Sequence, residues 1–121
     1  MKIKIKRIYE NYSFQDGFRI LVDRLWPRGI KKEKAKIDLW FKEVAPSNKL
    51  RKWFGHDVLK WEEFKKRYKD EIKQNKESLK KLIDIIKDKK IVTLVYSAKD
   101  KEHNNAIVLK DVLERYVKIY I

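Results

Sequence analysis

Ile91-Val92-Thr93-Leu94-Val95-Tyr96 is an unbroken apolar and β-branched run, preceded by Lys89-Lys90 and followed by Ser97. Such a run, without alternation, reads as a strand buried on both faces, as in a parallel sheet. A second run, Ile20-Leu21-Val22, lies inside residues 18–24 and ends at Asp23. The long stretch between the two is largely of helical periodicity, which a parallel connection requires. The two strands are therefore expected to point the same way, bringing the loops that follow them to one rim. In open α/β sheets ligands sit at that rim.

Working outward, residues 2–8 alternate Lys2, Lys4 and Lys6 with Ile3, Ile5 and Ile8, a period-two strand with one buried face. Asp16-Gly17 signals a turn before the strand at 18–24. The connection of about nine residues is too short for a helical crossover, so this first pair is expected to be antiparallel. Residues 25–31 form a loop, in which Pro27 removes a donor and Gly29 permits a tight bend. Residues 32–36 suit a short helical turn, and 37–41 a strand or an apolar lid. Ser47 and Gly55 bracket a short helix as N-cap and stop, and Asp57 can cap the next. Along that helix Trp61, Phe64, Tyr68 and Ile72 share a stripe. After a break near Asn75 the stripe continues through Leu79, Leu82, Ile83 and Ile86. A last helix spans about 101–117, with Ala106, Leu109, Leu113 and Tyr116 inward, and residues 118–121 suit an edge strand. The expectation is a single α/β domain over residues 1–121, with a mixed, mostly parallel sheet of three to four strands and helices packed on it.

Composition narrows the function. With 43% apolar, 41% charged and 12% aromatic residues, the 121-residue chain has the make-up of a folded domain. No apolar stretch approaches the ~20 residues of a membrane helix, and the alternating N-terminus reads as a strand and not a signal peptide. The absence of cysteine excludes disulfides, thiolate nucleophiles and cysteine metal sites, and suits a cytoplasmic protein. A net charge of +14 invites a nucleic-acid partner. Most of the excess, however, falls in residues 31–90, where lysines interleave with acids along presumed solvated helix faces, and 25 of the 32 basic residues are lysine. No HExxH, Gly-x-Ser-x-Gly, Walker or Gly-rich dinucleotide motif is present, so no metal or cofactor is expected.

Three segments carry chemistry. In Asp23-Arg24-Leu25-Trp26-Pro27-Arg28-Gly29, two arginines on a stiff loop can hold a carboxylate or phosphate, and Trp26 can cover a pocket. The same segment also suits an ion-paired corner with Trp26 filling core. Lys99-Asp100-Lys101-Glu102-His103-Asn104-Asn105 sits where a strand hands over to a helix, with Asp100 as a cap and Lys99, His103, Asn104 and Asn105 as donors. His56 lies just past a helix end, where a histidine also meets free carbonyls.

Four blocks together are recognisable: Leu21-Val22-Asp23-Arg24-Leu25-Trp26-Pro27-Arg28-Gly29, Lys42-Glu43-Val44-Ala45-Pro46-Ser47, Leu50-Arg51-Lys52-Trp53-Phe54-Gly55-His56-Asp57 and Ala98-Lys99-Asp100-Lys101-Glu102-His103-Asn104-Asn105-Ala106. In this order, over nearly the whole chain, they resemble the YeaO-like family of bacterial and archaeal proteins of unknown function. The resemblance implies a small α/β fold and brings no reaction, cofactor or partner with it.

The expected function is binding of an anionic small molecule, a nucleotide or other phosphate ester, with acid/base chemistry left open. Arg24 and Arg28 would hold the anion, helped by Lys99, Trp26, His56 and Asp100. His103 is the acid/base candidate, oriented by Asp23 or Glu43, while Asn104 and Asn105 supply neutral hydrogen bonds. Two alternatives stand beside it: a nucleic-acid module using the lysine-rich helical face, and an interaction domain docking through Trp26, Trp40 and Trp53. Substrate, reaction and oligomeric state are left open by the sequence.

Overall fold

The computed structural model describes residues 1–120. Four strands form one sheet: β1 (Lys2–Arg7), β2 (Phe18–Leu21), β3 (Leu39–Trp40) and β4 (Ile91–Tyr96), in the order β1-β4-β2-β3. Every pairing is parallel. Lys2 lies opposite Ile91 and Arg7 opposite Tyr96, Phe18 opposite Val92, and Ile20 opposite Leu39. The helices are α1 (Lys32–Ala35), α2 (Asn48–Phe54), α3 (Trp61–Gln74), α4 (Lys76–Ile86) and α5 (Asn105–Tyr120), with single 3-10 turns at Phe14–Asp16, Lys42–Val44 and Val58–Lys60.

The two central strands explain their own sequences. Ile20, Val22, Val92, Leu94 and Tyr96 face the helical layer, where Phe54, Phe64, Tyr68, Leu82, Ile86, Leu109 and Leu113 complete the main core. Leu21 and Val95 face the other way, into a smaller core with Ile8 and Ala35, walled by Trp26, Ile30, Ile37 and Trp40. Both faces are covered, so neither strand alternates.

Local signals hold where side chain meets backbone. Ser47 Oγ accepts from Leu50 N, Gly55 ends α2 in the left-handed region (φ +54°), and α3 stops at Asn75. Asp57 caps the 3-10 turn that leads into α3. Residues 37–41 contribute β3, held to β2 by Phe41 N to Leu21 O (3.0 Å) and by Arg19 N to the Asp38 carboxylate (2.8 Å).

Three expectations are corrected. First, β1 and β2 are parallel and unpaired, with β4 between them. Residues 8–17 return along the second face without a helix. About ten residues span roughly 33 Å when extended, ample for a short strand, so the return needs length and not helicity. Lys4 Nζ to Gln15 O (2.8 Å), Lys6 to the Asp16 carboxylate (3.1 Å) and Thr93 Oγ1 to Asp16 O (2.6 Å) fasten it. A β-carbon on Gly17 (φ +66°) would collide with the Ile91 carbonyl, so only glycine passes there. Second, residues 118–120 continue α5 and make no strand, while Ile121 lies outside the described residues. Third, α5 begins at Asn105. Asp100 Oδ1 accepts from Glu102 N and His103 N, closing a separate turn, and Asn104 Oδ1 takes the helix cap from Ile107 N (3.1 Å).

Candidate functional site

Parallel order delivers the C-terminal ends of β1, β4 and β2 to one rim, and one carboxylate joins the segments that leave it. Asp23 Oδ2 accepts from Ser97 N (2.9 Å) and Ser97 Oγ (2.7 Å), while Asn105 Nδ2 donates to Asp23 Oδ1 (3.2 Å) and to Val22 O (3.0 Å). Burial pushes the Asp23 carboxyl above its ordinary range, against the hydrogen bonds of Ser97 and Asn105 and the charge of Arg51. Asp23 thus rivets the end of β2 to the end of β4 and the start of α5.

The first loop is stiffened from within. Arg24 donates through Nε to Pro46 O (3.0 Å) and through Nη2 to Ala45 O (3.1 Å), fixing the corner before α2. Trp26 Nε1 reaches Ile30 O (2.7 Å), and its ring meets Trp40 edge-on at 5.5 Å. Trp40 Nε1 in turn donates to Asp23 O (2.8 Å). Tyr9 Oη holds the Arg28 carbonyl (2.9 Å). Arg7 lies over the Tyr9 ring and donates from Nε to Ala98 O (2.9 Å).

These segments enclose a cleft of about 840 Å³. Asp23, Arg24, Trp26 and Arg28 line it from the first loop, and Lys99, Asp100, His103, Asn104 and Asn105 from the second, with His56 between. Glu43 does not reach it. Its exposed side chain lies instead in a smaller cleft of about 360 Å³ beside Ser47, Glu71 and Asn75. The carboxylate on His103 is neither Asp23 nor Glu43. His103 Nδ1 pairs with Asp100 Oδ2 at 2.9 Å, and Trp61 meets the ring edge-on at 5.3 Å. Hydrogen bonds from the Glu102 amide, and then from His103, hold the Asp100 carboxyl below its ordinary range. Asn104, 2% exposed, is spent on the helix cap and on Asp100 O, and Asn105 on Val22 and Asp23. The ion-paired corner that the segment also suited is not formed, since among the described residues Asp23 makes no ion pair with an arginine of its own loop, while Trp26 does pack on the smaller core.

Charge in the cleft is one-sided. Five cations line it (Arg7, Arg24, Arg28, Arg51 and Lys99) against two carboxylates, both already engaged. Among the described residues, the side chains of Arg28 and Lys99 have no hydrogen bond or ion pair, and His56 has only a ring contact with Phe54. Arg7, Tyr9 and Arg51 escape the sequence reading. An antiparallel β1 would send Arg7 and Tyr9 to the opposite rim. Arg51 stands one turn before Gly55 on α2, a spacing that could have marked it as a neighbour of His56. Among the described residues no three His, Asp or Glu side chains gather as a metal site would need, and no helix is long and apolar enough to cross a membrane.

Comparison with known proteins gives relatives over nearly the whole chain. The family model DUF488-N3i, described as the inactive DUF488-N3 subclade, matches residues 2–119. The uncharacterized protein YeaO of Escherichia coli (strain K12) is 48% identical over 111 residues, covering 92% of this chain and 96% of YeaO. The uncharacterized protein Rv3073c of Mycobacterium tuberculosis (strain H37Rv) is 35% identical over 114 residues, 93% of each chain. The uncharacterized protein Mb3100c of Mycobacterium bovis is equally similar. No solved structure gives a significant match.

Proposed function

We propose a binding function for this chain, which belongs to the YeaO-like DUF488-N3 family: its rim cleft holds an anionic small molecule of the phosphate-ester class. The observation that carries this reading is the charge of Arg28 and Lys99, unpaired among the described residues, in a cleft whose two carboxylates are engaged elsewhere. A guanidinium and an ammonium without carboxylate partners suit a phosphate group. Arg51 adds to the field, and Asp100 anchors His103 through Nδ1, leaving Nε2 for the ligand. Arg24 shapes the wall, because its bonds to Ala45 and Pro46 carbonyls fix the corner. Description of the family model as inactive supports binding without turnover, and the cysteine-free composition fits a cytoplasmic site of action.

The nucleic-acid reading has less behind it. Lys65, Lys69 and Lys87 in the lysine-rich middle lie within 3.8 Å of Glu62, Asp111 and Asp84 respectively. The Trp docking surface has less still, since Trp26 and Trp40 wall the small core and Trp53 lies half-buried beneath Arg67 and Lys60. The His103–Asp100 pair favours a second reading, acid/base chemistry on the bound ester. It requires product formation that His103→Gln abolishes while binding persists.

Calorimetric titration with a panel of phosphate esters at low salt tests the binding reading. The double variant Arg28→Ala, Lys99→Ala is expected to lose about tenfold or more in affinity, ~1.4 kcal/mol. A wild-type protein that binds no member of the panel, or a double variant that binds as well as wild type, sinks it.

A further inference from the structure

Resting on the anion-binding reading, we infer that the cleft selects phosphate esters carrying an aromatic ring, and that His56 determines this selectivity.

The first observation is an aromatic ladder with a histidine at each end. The His56 ring lies 6.2 Å from Phe54, Phe54 stacks on Phe64 at 4.3 Å and 23°, Phe64 meets Trp61 at 5.7 Å, and Trp61 meets His103 at 5.3 Å. His56 and His103 are the chain's two histidines, and both line the cleft along with Phe54 and Phe64. Phe54 and Phe64 are themselves buried (5% and 2% exposed) and back this wall from the core, so the rings it offers to the cleft are the exposed His56 and the half-buried His103, beside the unpaired cations. Flat rings pack on such walls without needing base-specific hydrogen bonds.

The second observation is size. Organic ligands occupy sites of roughly 300–1,000 Å³, and this cleft, at about 840 Å³, is far larger than an inorganic anion fills. Leu25 (56% exposed) and Tyr9 (42% exposed) are large apolar side chains left open to solvent on its lining. An apolar body attached to the anion would cover them.

The third observation singles out His56. Its backbone stands at φ +58°, directly after Gly55 at φ +54°. Glycine occupies that region without strain, whereas a side chain with a β-carbon is held there at a cost. The turn itself is closed by the backbone, through Asp57 N to Phe54 O (3.0 Å), and needs nothing from an imidazole. The exposed ring makes no hydrogen bond or ion pair among the described residues. What the conformation achieves is delivery of a planar, polar-edged ring to the open end of the aromatic wall, where it can close over a second ring.

The test titrates the full chain with inorganic phosphate, n-butyl phosphate and phenyl phosphate, in wild type, His56→Gly and His56→Asn. Both variants suit the left-handed backbone, so thermal midpoints at or above wild type are expected. Phenyl phosphate should bind wild type at least about tenfold tighter than the other two, in the range of one stacked ring. The two variants should lose most of that advantage while inorganic phosphate affinity stays within about twofold. Equal binding of phenyl and butyl phosphate would overturn ring selectivity and leave the anion reading intact. An aromatic advantage retained in both variants would overturn the role of His56. Failure of all three titrants to bind wild type would overturn the inference together with the anion reading beneath it.

Discussion

Two clusters of cations on the same sheet have opposite states. In mid-sheet, opposite Thr93, Arg19 is 2% exposed and its donors are taken up. Nη1 meets the Asp16 carboxylate at 2.6 Å, Nε meets Lys36 O at 3.0 Å and Nη2 meets Ala35 O at 2.9 Å, while Lys6 shares Asp16. At the C-terminal rim, the Arg28 and Lys99 side chains stand in the cleft with no partner among the described residues. The same chemistry fastens a return segment in one place and, on the proposed reading, receives an anion in the other. The difference lies in whether the fold supplies the acceptors. A buried cation must be paired for the fold to tolerate it, and an exposed cation can be left for a ligand.

This contrast breaks most visibly at Arg19. Arg19→Ala leaves Asp16 buried and strips two carbonyls of their donor, so a loss of about 3–5 kcal/mol is expected in urea unfolding. A loss below ~1 kcal/mol would show that Asp16 is satisfied without Arg19. A smaller effect, of opposite sign at Asp16 and Asp23, is expected from pH. Despite burial, Asp16 is held below its ordinary 3.8 by hydrogen bonds from the Ser13 backbone, Lys6 and Arg19. Its stabilisation is thus present above pH 3.8 and lost as pH falls through the depressed value. Asp23, raised by burial, does the reverse, contributing most below 3.8 and losing that contribution as pH rises through its elevated value. Carbon-detected titration of the two carboxyls should find Asp16 below 3.8 and Asp23 above it, and the reverse order would contradict the contrast. The smallest change belongs to the cleft. Arg28→Ala with Lys99→Ala should leave stability within about 0.5 kcal/mol of wild type in the same urea experiment. A large loss would make these residues part of the scaffold.

How much the sequence reveals follows the same division. The run at 91–96 is a strand, and the strand expected over 18–24 stops at Leu21, both with covered faces, and residues 23–29 and 97–105 share a rim because the strands are parallel. Ser47, Gly55 and Asn75 mark their helix ends by local backbone chemistry, which sequence records directly. The position of β1 is not local. It depends on Lys4, Lys6 and Thr93 catching residues 15 and 16 across the sheet, so Arg7 and Tyr9 are hidden from a linear reading. The amides of Asn104 and Asn105 have the right chemistry for a ligand, yet one caps α5 and the other ties the rivet. Residue type identified the donors. Only the fold identifies which donors are spent.

The Asp23 rivet has a consequence for how such a protein can change. Because Val22, Asp23, Ser97 and Asn105 fasten the frame beneath the loops, positions above it, Leu25, Arg28, Lys99 and His56 among them, can be exchanged without unpicking the sheet. If the cleft binds as proposed, lineages sharing this scaffold could vary what they recognise at those few positions while inheriting one unchanged mounting.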